Sequence, residues 1–147
     1  MKIQGAASFA LPREQLWEKL LDPAILQAAI PGCERLERVA EGDYRASVSF
    51  GIAAIKGRFA IRMTPSDLDP PNAYTLTIDG QGGPGFVRGT GRITLHEKTP
   101  TATELVYDGE VQVGGLIAAV GQRVLAAAAQ KIAHDFFERL QIVIGGV

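Results

Sequence analysis

Between Tyr44 and Val113 apolar and polar residues alternate in run after run, and this pattern limits what the chain can become. In "YRASVSF", Tyr44, Ala46, Val48 and Phe50 face one way, and Arg45, Ser47 and Ser49 the other. "KGRFAIRM" sets Phe59, Ile61 and Met63 against Arg58 and Arg62, and "YTLTID" sets Tyr74, Leu76 and Ile78 against Thr75, Thr77 and Asp79. "VRGTGRITLHE" opposes Val87, Ile93 and Leu95 to Arg88, Arg92 and His96. "TELVYDGEVQV" opposes Leu105, Tyr107, Val111 and Val113 to Glu104, Asp108, Glu110 and Gln112. Strict period two means strands with one wet face and one covered face, the pattern of an antiparallel sheet. "AEGD", "DPPN", "GGPG" and "EKTP" supply the turns. Such a sheet needs a cover for its apolar side.

The cover is predicted at the C-terminus. Gly114–Ile144 reads as one helix of about thirty residues, roughly 45 Å long. Arg123, Gln130, Lys131, His134, Glu138 and Gln141 fall on one side; Ile117, Val120, Val124, Leu125, Ala128, Ile132, Phe136, Leu140 and Val143 fall on the other. Its first half is greasy nearly all round, with only Gln122 and Arg123 interrupting Leu116–Ala129. Two readings of these small residues stand open. They let the helix sit tightly on the sheet, or they leave a cavity lined by Ile117, Val120, Val124 and the inward sheet residues, suited to a hydrophobic ligand. Gly114, Gly115 and Gly121 then read as hinges or close-approach points at its mouth.

Ahead of the sheet, "KIQGAASF" reads as a strand with Ile3, Gly5, Ala7 and Phe9 on one side. "PREQLWEKLLD" reads as a helix opened by Pro12, with Leu16, Trp17, Leu20 and Leu21 at helical spacing. "DPAILQAAI" reads as a second, with Asp22 as N-cap and Pro23 in its first turn, ended by Pro31-Gly32. The order is one strand, two short helices, about six strands and a long helix: an α+β chain folding as one domain over residues 1–147.

Several function classes drop out. The net charge is -1 with both signs interspersed, which argues against a nucleic-acid surface. Cys33 is the only cysteine, so no disulfide forms within the chain, and a cytoplasmic location is expected. The N-terminus lacks the pattern of a signal peptide. The longest apolar run, Val124–Ala129, is far short of the roughly 20 residues that span a bilayer. His96 and His134 have no partner at metal-ligand spacing, and Cys33 has no base near it in sequence, so it reads as a small buried residue after the turn. "GQGGPGFVRGTG" lacks a phosphate-loop pattern and reads as a hairpin with bulges, with Phe86 as an apolar lip over the cavity. Arg58, Arg62, Arg88 and Arg92 read as a solvated outer face or, alternatively, a docking patch for an acidic partner. No catalytic residue, metal or cofactor is assigned.

Two motifs carry a resemblance. "DPAILQAAIPGCERLE" (Asp22–Glu37) and "VGGLIAAVGQRVLAAAAQKIAHDFF" (Val113–Phe137) resemble the carbon monoxide dehydrogenase CoxG family, and the opening "MKIQGAASFALPREQLWEKLLDP" fits it too. The resemblance implies the helix-grip fold of the START/Bet v 1-like (SRPBCC) superfamily: a curved antiparallel sheet of about seven strands wrapped on the long C-terminal helix. It also implies an apolar small molecule, a quinone or lipid, and a molybdenum-containing carbon monoxide dehydrogenase as partner, with membrane or respiratory-chain coupling. Many family members continue into a membrane-seeking tail. "QIVIGGV" is too short to span or anchor, so at most peripheral membrane contact is expected of this chain. The expected cavity wall is Phe50, Phe59, Ile61, Met63, Tyr74, Leu76, Phe86, Tyr107, Leu116, Ile117, Val120, Val124 and Ala128. The alternative is a protein-interaction or assembly factor using Leu116–Val120 and holding no ligand. An enzyme such as a cyclase or hydrolase is a third reading, against which stands the lack of an acid/base pair among the predicted wall residues.

Overall fold

The fold comes from a computed structural model in which residues 1–144 are described. Strand β1 (Lys2–Phe9) is followed by helices α1 (Arg13–Leu20) and α2 (Pro23–Ala29). Six strands then run consecutively: β2 (Cys33–Ala40), β3 (Asp43–Ile52), β4 (Ile55–Asp69), β5 (Ala73–Gly82), β6 (Gly85–Thr99) and β7 (Ala102–Gly114). A 3₁₀ turn (Leu116–Val120) leads into helix α3 (Gln122–Ile144). The strands form one antiparallel sheet in the order β1-β7-β6-β5-β4-β3-β2. This curved sheet, gripped by the C-terminal helix, is the helix-grip fold.

The alternation read from sequence sets the register. Inward residues meet inward residues across the ladders: Val48 with Phe59, Tyr44 with Met63, Tyr74 with Ile93, and Leu95 with Leu105. A one-residue slip would turn each of these faces to water. At the second helix the expected cap is present: the Asp22 carboxylate accepts from the Ala24 N–H at 2.9 Å, and Pro23 opens the helix. The glycine-rich hairpin runs from Ala73↔Thr94 to Gly82↔Gly85 without a register shift, so the bulges expected there are absent. A two-residue turn, Gly83-Pro84, closes it.

Strand β2 has no pattern of its own in the sequence. Only Leu36 is buried along it, because it is an edge strand with two register irregularities. Strand β4 runs through Pro65 to Asp69, well past Met63. Beyond Met63 it outruns β3 and pairs with β5 alone, which leaves one side of the ladder open for a residue without an N–H.

Both sheet edges are closed by glutamines on the helices. Gln130 of α3 donates to the Gln4 carbonyl (3.1 Å) and accepts from the Gln4 N–H (3.3 Å), while Gln141 donates to the Ser8 carbonyl (2.6 Å). On the opposite edge the Leu36 N–H donates to Gln27 of α2 at 3.0 Å. These bonds satisfy some of the backbone groups that an edge strand leaves unpaired.

The thirty-residue helix is corrected to a shorter one. Gly115 (φ 84°) and Gly121 (φ 96°, ψ 154°) bracket Leu116–Val120, and neither conformation continues an α-helix. The helix starts only at Gln122. Of its expected apolar side, Leu125 and Leu140 are buried and Phe136 half-buried, while Val124 and Val143 lie exposed; Phe137, beside that side, is buried as well. Among the described residues no helix is long and apolar enough to cross a membrane. The end of "QIVIGGV", residues 145–147, lies outside the described residues.

Candidate ligand-binding cavity

The interior is divided into three apolar clusters. One joins α1, the β1 end and the α3 C-terminal half around Leu16, Leu105 and Leu140. A second joins α2 to β2, β3 and β4 around Leu36, Tyr44 and Met63. A third joins the β3–β4 hairpin to the 3₁₀ turn and the start of α3, around Phe59, Ile117 and Leu125. The first and second share only half-buried Leu76 and Phe136, and the second and third share only half-buried Phe50 and Ile61. All four of these side chains line a cavity of about 490 Å³ between sheet and helices. That volume lies within the usual range for a small-molecule site.

Of the expected wall, Phe50, Phe59, Ile61, Met63, Tyr74, Leu76, Tyr107 and Ile117 line this cavity. The other five do not. Phe86 sits one residue before inward-facing Val87, so the period of two turns it outward, where the Arg88 guanidinium lies 4.6 Å from its ring centre. Leu116 is 65% exposed because the 3₁₀ turn commits Ile117 to the interior and its neighbour to solvent. Val120 packs against the third cluster without reaching the cavity. Val124 (43% exposed) and Ala128 stay off the cavity; Leu125, Ile132 and Phe136 of the same expected side line it, joined by Ala129, Ala133 and Phe137. These six recur at helical spacing, but the even apolar character of the segment hides which members of the apolar side reach the cavity. The lining meets solvent at Gly32 and Ser49 and at Ile132, which is 37% exposed.

The sheet floor adds a feature that the expected wall lacks. Inward positions of the central strands carry no side chain at Gly80, Gly89, Gly91 and Gly109, all bordering the cavity. The signal is present in "VRGTGR" and "YDGEVQV", where glycine occupies the apolar register of the alternation.

Three tyrosines bring polar atoms to the wall. The Tyr44 hydroxyl donates to the Leu21 carbonyl at 2.5 Å. Tyr107 stacks on Phe137 with ring centres 4.7 Å apart, and its oxygen accepts from Gln130 at 3.1 Å. Tyr74 is 3% exposed and stands edge-on to Trp17 at 5.4 Å, yet its hydroxyl makes no hydrogen bond among the described residues. That hydroxyl is not among the polar atoms sealed in packing without a partner, a condition found only at Arg13 Nε among the described residues, so it borders open volume. Burial pushes the Tyr74 phenol far above its usual value, with a smaller push from Tyr44. It is a neutral donor at physiological pH.

Elsewhere the chemistry is quiet. Cys33 opens β2 half-buried, its thiol donates to the Arg35 carbonyl at 3.5 Å, and burial raises its pKa. His96 and His134 are exposed, and His134 lies 3.2 Å from Glu138. No three His, Cys, Asp or Glu side chains cluster as metal ligands among the described residues. The outer-face arginines have local partners: Arg58 with Glu34 (2.7 Å), Arg62 with Asp43 (3.3 Å), Arg88 with Asp79 (3.8 Å), and Arg92 with the Asp67 carbonyl and Thr75.

No curated protein matches the chain. Among solved structures, a conserved protein from Geobacillus kaustophilus is 39% identical with a TM-score of 0.91, over 99% of this chain and 95% of that one. A START superfamily protein from Mycobacterium smegmatis (17% identity, TM-score 0.66, 99% and 94% covered) shares the fold. So does the Zhui aromatase/cyclase from Streptomyces sp. R1128 (15% identity, TM-score 0.69, 96% and 91% covered). Residues 5–145 match the pattern of the carbon monoxide dehydrogenase CoxG family, and the chain belongs to that family.

Proposed function

We propose that this protein is a non-catalytic carrier that holds an elongated apolar molecule, a quinone or a lipid, between its sheet and α3. In this reading it serves a carbon monoxide dehydrogenase-like molybdenum hydroxylase in the cytoplasm, helping to couple that enzyme to the membrane or the respiratory chain. The observation that carries it is the apolar cavity with the unpaired Tyr74 hydroxyl in its wall. A ligand with a carbonyl or other acceptor satisfies that donor, and its hydrocarbon body replaces open volume with contacts. Family membership supports the choice of partner.

The test is native mass spectrometry of the purified protein, followed by organic extraction and titration with decylubiquinone. The chain's one tryptophan, Trp17, abuts Tyr74 and reports occupancy by fluorescence quenching. A co-purifying prenylquinone or lipid, or saturable 1:1 quenching, supports the carrier. An unliganded mass with no quenching would remove it. The second reading, an assembly factor without ligand, draws on Leu116 and Val124, apolar side chains left on the surface beside the cavity's end. Capture of the dehydrogenase by unliganded protein, abolished by Leu116→Ser, is its signature.

A further inference from the structure

Four ordinary reasons place glycine inside a strand: a bulge, a left-handed backbone, a close approach by another backbone, or a close approach by a ligand. They can be tried in turn on the floor of the cavity. No register shift occurs in β6 between Phe86 and Glu97, so no bulge lies at Gly89 or Gly91. Neither has a positive φ. A β-carbon on Gly109 would lie 2.8 Å from the Thr90 carbonyl oxygen, and one on Gly91 would lie 3.2 Å from the Asp108 carbonyl oxygen, so neighbouring backbone explains both. On Gly80 it would press on Ile61 at 3.2 Å. Gly89 is different. Its β-carbon would make ordinary contacts only, 3.4 Å to the Glu110 carbonyl oxygen and 3.5 Å to Val111. Its two cross-strand partners, Ile78 and Val111, both line the cavity.

We infer that Gly89 is the position that keeps the floor of the cavity open for its ligand. The inference rests on the carrier reading and goes further by assigning a ligand path. Independent support comes from Tyr74, the buried hydroxyl without a partner in the same wall. Tyr74 pairs with Ile93, and Gly89 lies four residues along β6 from Ile93, about 13 Å at strand rise. The ligand class is therefore an acceptor-bearing head at Tyr74 with an apolar chain running over Gly89. Replacing this glycine with a β-branched residue favours the strand and blocks the path.

Gly89→Val, Gly89→Ala and the outer-face control Gln112→Val are titrated with decylubiquinone by Trp17 quenching, and each is melted. Gly89→Val is expected to bind at least about tenfold more weakly, with a melting midpoint at or above that of the parent. Gly89→Ala is expected to fall between, and Gln112→Val to stay within about twofold. Undiminished binding by a cooperatively melting Gly89→Val overturns the inference while leaving the carrier reading intact. Should Gly89→Val fail to melt cooperatively, Gly89→Ala decides, and parental binding there overturns it. Absence of binding by the parent protein removes both.

Discussion

Tyr74 and Ile117 show what single side chains contribute. Tyr74 is legible as an inward residue from "YTLTID"; that its hydroxyl stays unpaired, whereas those of Tyr44 and Tyr107 engage Leu21 and Gln130, depends on residues far apart in sequence. Removing that hydroxyl tests its role. Tyr74→Phe is expected to weaken binding of an acceptor-bearing probe such as decylubiquinone by roughly three- to tenfold, the value of one hydrogen bond. Affinity for a plain hydrocarbon probe and the melting temperature should stay unchanged. Equal affinity for decylubiquinone in both proteins would remove Tyr74 as the anchor. Ile117, 1% exposed, lines the wall as its sequence suggests; Leu116 beside it carries the same expectation and lies in solvent. Both belong to the same apolar run, and hydropathy alone does not separate neighbours whose directions are set by a 3₁₀ turn.

At the scale of elements, period-two alternation locates five of the strands after α2, and Asp22-Pro23 locates the start of α2. Strand β2 escapes because an edge strand with one buried residue carries little pattern. The long helix reads as longer than it is because Ala118, Ala119 and their neighbours favour helix, and a single Gly121 reads as a hinge within it. The segment from Gly115 to Gly121 makes a graded prediction, measurable by urea denaturation. Ile117→Ala is expected to cost about 2–4 kcal/mol, as a buried aliphatic does. Gly121→Ala, at φ 96° and ψ 154°, is expected to cost about 1–3 kcal/mol through backbone strain. Leu116→Ser is expected to stay within about 0.5 kcal/mol. Equal losses at Leu116 and Ile117 would mean that the turn buries both.

For the whole molecule, the three clusters and the space between them predict a ligand-dependent stability. The cavity forgoes contacts that a filled core would make, and a bound apolar molecule restores them. A ligand present at about a hundredfold its dissociation constant adds about 2.7 kcal/mol. That corresponds to a rise in melting temperature of roughly 5–10 °C for a domain of this size. Thermal melts with and without decylubiquinone measure it, and an unmoved midpoint at saturating probe argues that the space stays empty.

The short helices, the inward face of each patterned strand, the cap of α2 and the family are legible in the chain, because each is written in local spacing or in contiguous motifs; β2 and the 3₁₀ turn are not. Packing sets where α3 begins, which members of its apolar side reach the cavity, and that the open space is bounded by glycines of the sheet together with small residues of the helix. Those outcomes depend on the curvature of seven paired strands and on backbone approaches such as Gly109 to Thr90. A cavity is a property of what several distant segments fail to fill together, and no single segment encodes it.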